Sequence, residues 1–248
     1  MIMKRKFLTN LKKYIQFANK QGYAPAWCVP FISLLLTTNV SAIPASFLEL
    51  SPAERHLLLK GELIIKTKEI KESIWPQVTL YGKINTDPLL ALSVYAAYDY
   101  QKNYVPAVIK SDPIKHVSPT DVHVSYERDL PWPLTSTKYT TGNVVSKQSD
   151  DAYSINWYLV NSDSIADTKG MASFNRYQNF TIFKYTTMIV PNTVFAPLLK
   201  NNMLTDLRLS MTKIISHIET VAVNSPELVT TFKEKIIKAL KGIKVYEE

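Results

Sequence analysis

An arginine at the end of an otherwise apolar strand face is the side chain of this sequence best suited to ligand chemistry. In the segment Val122–Leu130, alternate positions share one face, and this face carries Val122, Val124, Tyr126 and Arg128. The fork of donors on a guanidinium suits a carboxylate or a phosphate group. We therefore expect Arg128 to hold the polar end of a ligand. The alternative, that Arg128 pairs with a neighbouring carboxylate, remains open at this point.

The sequence lacks the usual motifs of catalysis, metal binding and phosphate binding. Its six glycines form neither a G-x-G nor a G-x-x-x-x-G-K motif, and there is no G-x-S-x-G elbow. None of the four histidines stands in an H-E-x-x-H motif or pairs with another histidine at metal-ligand spacing. We therefore predict no cofactor and no metal. If the chain is an enzyme, Tyr126, Arg128 and His217 are the candidates for its acid or base.

The distribution of charge argues against nucleic acid as a partner. Of 29 lysines and arginines, six lie in residues 1–42, which contain no acidic residue. The rest of the chain has 23 basic and 21 acidic residues, so its formal net charge is +2, against +8 for the whole. A nearly neutral body lacks the charged surface of a nucleic-acid binder. The lysines of a predicted C-terminal helix, Pro226–Lys241, leave two interpretations open, a solvated face and a transient contact with anionic membrane lipid.

The N-terminal segment has the pattern of an export signal. Its basic stretch is followed by an apolar run, Trp27–Val40, and then by the small residues that precede a cleavage site, ending at Ala42. We predict a signal peptide over residues 1–42, cleaved after Ala42, and therefore a periplasmic or secreted protein. An uncleaved N-terminal anchor is the alternative. The single cysteine, Cys28, lies in this segment, so the cleaved chain would contain no disulfide.

Eight segments have the composition and alternation of β-strands. They are rich in Val, Ile, Tyr and Thr, which strands favour. Short connections between most of them favour an antiparallel meander. The predicted strands are Glu62–Lys68, Trp75–Asn85, Val105–His116, Val122–Leu130, Tyr139–Lys147, Tyr153–Asn161, Met171–Tyr177 and Phe180–Val190.

Four helices are predicted from capping signals and from periodicity. The first begins after Ser51, with a capping box to Glu54, and ends before Gly61. The second follows the capping residue Asp87, and the last follows Ser225. The third is a long amphipathic helix that begins after Asn192. Its apolar residues recur every three or four positions: Leu199, Met203, Leu207, Met211, Ile214, Ile218 and Val221.

Five segments follow one another in an order that is characteristic of one superfamily. They are GELII from Gly61, TLYGKINTDPLLALSVYAAYD from Thr79, YVPAVIKSDPI from Tyr104, LPWPLT from Leu130, and FTIFKYTTMIVP from Phe180, ahead of the long helix. In this order they resemble the START-like, or helix-grip, superfamily of lipid and hydrophobic-ligand binding domains. The resemblance covers residues 49–223. It implies an α+β fold in which a curved antiparallel β-sheet grips a long C-terminal α-helix, with a ligand cavity between them.

The sequence patterns and the resemblance together predict a division of the chain and a set of ligand-contacting residues. Residues 1–42 would be the signal peptide or anchor, 43–223 the START-like domain, and 224–248 a C-terminal helical appendage. Trp132, bracketed by two prolines, would close the core or form the lip of the cavity. The predicted ligand-binding residues are Tyr95, Val124, Tyr126, Arg128, Trp132, Trp157, Phe183, Tyr185, Met203, Leu207 and Met211.

Two functions fit these observations, and the lack of catalytic motifs favours the first. It is an exported protein that binds or carries a lipid or another hydrophobic ligand in an internal cavity. The alternative is a cyclase- or hydrolase-type enzyme on the same fold. A regulatory or assembly module with a filled core is a third, weaker interpretation. The predicted partner is therefore a lipid-like or other apolar small molecule, and the sequence does not fix the oligomeric state.

Overall fold

Eight strands form one sheet in the computed structural model, which describes residues 43–71, 73–130 and 135–246. The predicted signal segment, 1–42, lies outside the described residues. The strands are β1 (Ile64–Lys68), β2 (Gln77–Ile84), β3 (Val108–Ser118), β4 (Asp121–Asp129), β5 (Ser136–Ser149), β6 (Ala152–Ser162), β7 (Ile165–Tyr177) and β8 (Phe180–Pro191).

The strands from β3 to β8 pair in chain order, so the predicted antiparallel meander is confirmed for these six. The β1–β2 hairpin joins the sheet through β8, which gives the order β1-β2-β8-β7-β6-β5-β4-β3. The segment between β2 and β3 therefore runs from one side of the sheet to its far edge. This crossing segment contains a helix, which covers the inner face of the sheet.

Five α-helices and one 3-10 helix complete the described chain. The α-helices are α1 (Ala45–Leu48), α2 (Pro52–Leu59), α3 (Pro88–Tyr95), α4 (Ala196–Asn224) and α5 (Pro226–Leu240), and the 3-10 helix is Tyr98–Asn103. The predicted capping box of α2 is present, since Ser51 Oγ accepts from the Glu54 amide and Glu54 Oε2 accepts from the Ser51 amide. Gly61 follows α2 with φ +94°, a conformation that glycine adopts without strain.

Two hydrophobic clusters lie on opposite faces of the sheet. In β2, Leu80 belongs to the larger cluster and its neighbour Tyr81 to the smaller one, and the same holds for Phe183 and Ile182 in β8. Adjacent strand residues point to opposite faces, so the clusters are separated by the sheet. Helices α1 and α2 cover the smaller cluster, and α3, α4 and α5 cover the larger one. Phe232 is among the α5 residues buried in this main core.

A polar network fastens the α1–α2 segment to the outer face of the sheet. Glu49 accepts hydrogen bonds from the Tyr81 hydroxyl (2.6 Å) and from Lys184 Nζ (2.6 Å). Partial burial opposes the charge on the Glu49 carboxylate, but the hydrogen bonds from Lys184 and Tyr81 outweigh this effect and lower its pKa. The charged form of Glu49 is therefore the one that holds the segment in place.

We expect Glu49→Gln to reduce the loss of stability in acid. Because the folded state lowers the pKa of Glu49, its stabilisation is complete above the unfolded value, near 4.5, and is lost as pH falls through the folded value. Since the Glu49 side chain is 43 % exposed, we expect only about 1 kcal/mol from this pair. Urea unfolding at pH 7 and pH 3 measures the difference. Asp206→Asn is the control and should leave the pH dependence unchanged, because Asp206 is exposed and forms no hydrogen bond or ion pair with the described residues.

Candidate functional site

Four of the predicted ligand-binding residues are buried in the main core. Val124 and Phe183 have no exposed surface, Met211 is 5 % exposed and Tyr126 is 9 % exposed. All four pack within the larger cluster. They form the floor of the region where the cavity was predicted.

Six other predicted residues are only half-buried: Tyr95, Arg128, Trp157, Tyr185, Met203 and Leu207. The last predicted residue, Trp132, lies outside the described residues. The six half-buried residues lie on α3, on β4, β6 and β8, and on the first half of α4. The prediction therefore separates into a buried floor and a half-buried upper layer.

The aromatic wall, which comprises Tyr95, Tyr126, Tyr139, Trp157 and Tyr185, lines the inner face of the sheet and the end of α3. Trp157 stacks on Tyr185 with their ring centroids 5.1 Å apart, and Tyr126 stacks on Tyr139 at 5.3 Å. Tyr95 packs edge-on against Phe174. Such pairs stabilise beyond the area that they bury. The wall thus consists of two stacked pairs, with Tyr95 packed against the phenylalanine behind it.

Hydrogen bonds fix the lower part of the wall to the 3-10 helix. The Tyr126 hydroxyl donates to Gln101 Oε1 (2.7 Å), and Gln101 Nε2 donates to the backbone oxygen of Tyr95 (2.8 Å). The Tyr104 hydroxyl donates to the backbone oxygen of Val94 (2.9 Å). Since these bonds use the polar atoms of Gln101 and the hydroxyls of Tyr104 and Tyr126, the side chains that support the wall at Tyr126 are held in fixed positions.

The upper tyrosines of the wall are enclosed by protein and yet keep accessible surface. Loss of hydration raises the pKa of Tyr95 well above its ordinary value, raises that of Tyr139, and raises that of Tyr185 to about 12. All three are nevertheless half-buried by accessible area. These side chains are therefore surrounded by protein without being completely packed. The three hydroxyls stay protonated at neutral pH and are able to donate hydrogen bonds.

Helix α4 changes its packing halfway along its length. In its second half, Met211, Ile214, Ile218 and Val221 are at most 5 % exposed. In its first half, the matching stripe of Leu199, Met203 and Leu207 is only half-buried. Ile215 lies so close to β2 that a Cβ atom on Gly82 would stand 2.7 Å from its Cδ1 atom. The helix is therefore tightly packed near its C-terminal end and loosely packed over the first half.

Arg128 forms no ion pair among the described residues. The neighbouring carboxylate, Glu127, accepts from Ser136 Oγ (3.1 Å) and lies 3.9 Å from Lys138 Nζ. The charge of Arg128 acts instead on two tyrosines of the aromatic wall, since it opposes the rise in pKa that burial causes in Tyr139 and Tyr185. The guanidinium thus stands beside the wall, and the carboxylate next to it in the chain has other partners.

The three candidates for acid or base chemistry are not assembled into a catalytic group. The ring of His217 stacks on Tyr104 at 4.2 Å, and its Nε2 atom is buried without a hydrogen-bond partner in the described part of the chain. Burial lowers the pKa of His217, which favours its neutral form. No hydrogen bond among residues 43–71, 73–130 and 135–246 joins any two of Tyr126, Arg128 and His217.

The sequence predictions missed several residues that shape this region. Tyr139 faces Tyr126 directly in the β4–β5 register, a pairing that could have been found by folding the hairpin symmetrically about its turn. Gly170 gives Trp157 its room, because a Cβ atom there would lie 2.2 Å from Trp157 Cζ2. A glycine inside a strand pattern is a signal of such close approach. Gln101 had no local signal, since its side chain bonds a backbone oxygen, that of Tyr95, and a hydroxyl 25 positions away, that of Tyr126.

Comparison with known proteins identifies the fold. No protein-family model and no curated protein sequence matches the chain. A solved structure of a STAR-related lipid transfer protein from Xanthomonas axonopodis resembles it with a TM-score of 0.57 at 13% identity, over 63% of this chain and 93% of that one.

Two further solved structures are similar. Human StAR-related lipid transfer protein 5 has a TM-score of 0.53 at 10% identity, over 73% of this chain and 93% of that one. The Zhui aromatase/cyclase from Streptomyces sp. R1128 has a TM-score of 0.52 at 10% identity, over 60% and 96%. These likenesses and the observed topology confirm the predicted α+β architecture: the chain has the START-like helix-grip fold, an antiparallel sheet around a long C-terminal helix.

Proposed function

We propose that this protein binds a lipid-like or other apolar small molecule between the aromatic wall and the first half of α4. The observation that supports this proposal most is the change in packing along α4. One apolar stripe is buried from Met211 to Val221 and half-buried from Leu199 to Leu207. An apolar stripe left half-buried opposite half-buried aromatic rings is suited to cover a third apolar surface, that of a ligand.

The chemistry of the site suits a ligand with an apolar body and one polar end. Burial of the body would contribute about 25 cal/mol for each Å² of apolar surface removed from water. Met203 adapts to ligand shape through its flexible thioether side chain. Arg128 would hold a carboxylate or phosphate, and the hydroxyls of Tyr139 and Tyr185 add neutral donors beside it.

We also propose that the protein works in the periplasm or outside the cell. The support is the sequence of residues 1–42, with its basic stretch, its apolar run and its small residues before Ile43. Cell fractionation combined with N-terminal sequencing of the purified protein tests this proposal. A mature chain that begins at Ile43 supports export with cleavage, and a full-length chain in the membrane fraction supports the anchor.

Transient membrane contact stays a prediction. Three lysines of α5 already have acidic partners within the protein, since Lys233 pairs with Asp87, Lys235 with Asp99 and Lys238 with Glu234. These pairs favour the solvated-face interpretation of the helix. Among the residues that the structure describes, no helix is both long and apolar enough to cross a membrane.

Native mass spectrometry of the protein, purified without detergent from the compartment to which it is exported, tests the proposed function. We expect an adduct that denaturation releases and that lipid extraction identifies as an apolar molecule. A protein that carries no adduct and exchanges no lipid between vesicles would contradict the carrier function. Chemical turnover of the bound molecule would instead favour the cyclase- or hydrolase-type enzyme.

We expect Arg128→Gln to weaken the binding of a fatty acid by about 10- to 100-fold, because a charge-assisted hydrogen bond to the carboxylate is lost. Binding of the fatty alcohol of equal chain length should change little. Isothermal titration of both ligands into both proteins makes the comparison. Arg208→Gln is the matched control, since among the described residues Arg208 bonds only the backbone oxygen of Leu63, at 3.5 Å. Equal losses for acid and alcohol would remove Arg128 from the role of head-group ligand.

A further inference from the structure

The C-terminal tail, residues 243–246, is fastened to the body through one buried histidine. The backbone amides of Val245 and Tyr246 both donate to His116 Nε2, at 3.3 and 3.1 Å. The Tyr246 hydroxyl donates to the backbone oxygen of Ala96 (3.2 Å), and the two rings of His116 and Tyr246 stack at 5.8 Å. His116 lies in the edge strand β3 and is only 4 % exposed.

These bonds require one protonation state of the imidazole. Nε2 faces two N–H donors, so it must present a lone pair, while Nδ1 lies 3.1 Å from the backbone oxygen of Ser118 and must carry the proton. Only the neutral ring with its proton on Nδ1 satisfies all three bonds. A second proton on Nε2 would point at the two amides of the tail and remove both bonds.

We propose that the C-terminal tail is a strap that neutral His116 holds closed and that protonated His116 releases. Histidine is the side chain whose charge changes most readily in mildly acidic conditions. A change of pH alone would operate this switch, without a partner protein or a ligand. The switch lies outside the proposed ligand site and does not depend on that proposal.

Several titratable groups lie around the strap. Tyr98, Lys235 and Tyr246 line the space beneath the tail, Asp99 pairs with Lys235, and Lys115, Asp121 and Lys244 are chain neighbours of His116, of its strand partner Val122 and of Val245. Asp99 pairs with Lys235 at 2.5 Å, and Asp121 accepts from the Tyr158 hydroxyl at 3.1 Å. The Asp99–Lys235 pair is neutral overall, whereas Asp121 keeps its charge because the Tyr158 hydroxyl is a neutral donor. Lys115 and Asp121 therefore act on protonated His116 with opposite signs, and release of the strap depends on the loss of the two amide bonds to Nε2.

Release of the strap would open a small cleft beneath it. This cleft has a volume of about 20 Å³, room for about one water molecule, and Tyr98, Val122, Ile236 and Tyr246 are among its lining residues. The Tyr98 hydroxyl is buried there without a hydrogen-bond partner in the described part of the chain. Opening of the strap would expose this hydroxyl to solvent.

Amide exchange of Val245 and Tyr246, followed by NMR in the full chain, tests the strap. Rates are divided by those of a free peptide with the sequence of residues 241–248, which removes the intrinsic pH dependence. We expect protection to fall by about tenfold or more between pH 7.5 and pH 5.5, as the two bonds to Nε2 are lost. Equal protection at both pH values overturns the proposal.

Two variants separate the histidine from other causes. In His116→Gln the amide oxygen accepts the same bonds but does not titrate, so we expect protection to persist at pH 5.5. In His123→Gln, a change on the neighbouring strand, the fall should remain. In a third variant, the glutamates that follow Tyr246 are replaced by glutamine, and the fall in protection at pH 5.5 should remain. A fall that survives in His116→Gln would assign the pH response to another group and overturn the role of His116.

Discussion

Replacing Leu207 by tryptophan is expected to weaken the binding of an apolar ligand by about 60-fold and to change the free energy of unfolding of the empty protein by less than about 1 kcal/mol. Leu207 is half-buried and belongs to the loosely packed part of the α4 stripe. An indole there would cover about 100 Å² of wall that the ligand otherwise buries, which corresponds to about 2.5 kcal/mol. Ligand titration and urea unfolding of the same preparation measure the two effects.

Ile214→Trp is the matched control for this prediction. Ile214 lies two turns further along the same helix face and is 4 % exposed, in contact with the main core. A larger side chain there overpacks a filled interior, so we expect a loss of stability of about 3 kcal/mol. If Leu207→Trp costs as much as Ile214→Trp, no space is open opposite the aromatic wall. The third interpretation, a module with a filled core, would then be preferred to the carrier.

Periodicity predicted the elements of the fold because the two faces of the sheet and of the long helix differ in burial. It failed where a strand is specified by its neighbour and not by its own pattern. The prediction for β7 began at Met171, whereas the strand begins at Ile165. The additional residues, 165–170, include three polar residues and a glycine and pair with the end of β8, so their extended form depends on that partner. The start of β3 was also misplaced. The prediction began at Val105, whereas the strand begins at Val108, because Ala107 turns the chain with φ +63°.

The candidate site was predictable only as a set of inward faces. Alternation placed Val124 and Tyr126 on the inner face of β4, and the helical period placed Met203 and Met211 on one stripe. Neither pattern shows which of these residues the core fills, since that depends on how close α4 comes to the sheet at each turn. The hydrogen bonds between His116 and the strap were beyond sequence reasoning. Their donors are backbone amides about 130 residues away, and backbone amides leave no signal in composition or spacing.

Gly170→Ala is expected to lower the free energy of unfolding by about 3 kcal/mol. A Cβ atom at Gly170 would lie 2.2 Å from Trp157 Cζ2 and 2.3 Å from the backbone oxygen of Thr186. The ring of Trp157 stacks on Tyr185 and the backbone of Thr186 is held in the β2–β8–β7 ladder. Neither neighbour is able to move without disturbing the sheet. Denaturant unfolding monitored by tryptophan fluorescence measures the loss.

Gly142→Ala is the control. It places a Cβ atom against a partly exposed ring, whereas Gly170→Ala places one against the packed ring of Trp157 and a backbone oxygen. Its nearest atoms all belong to the side chain of Tyr158, at 2.1 to 2.5 Å, and Tyr158 is 38 % exposed. Because that ring is partly exposed and would give up only surface hydrogen bonds to Asp121 and His123 when it moves aside, we expect a loss of only about 1 kcal/mol.

In the background of Trp157→Ala, the cost of Gly170→Ala should fall but not vanish, since the clash with the Thr186 oxygen remains. A double-mutant cycle gives this coupling directly. Equal costs for the two glycine substitutions would show that Trp157 yields as easily as Tyr158. The aromatic wall would then be a mobile surface, and the preorganised binding site that we propose would lose its rigid side.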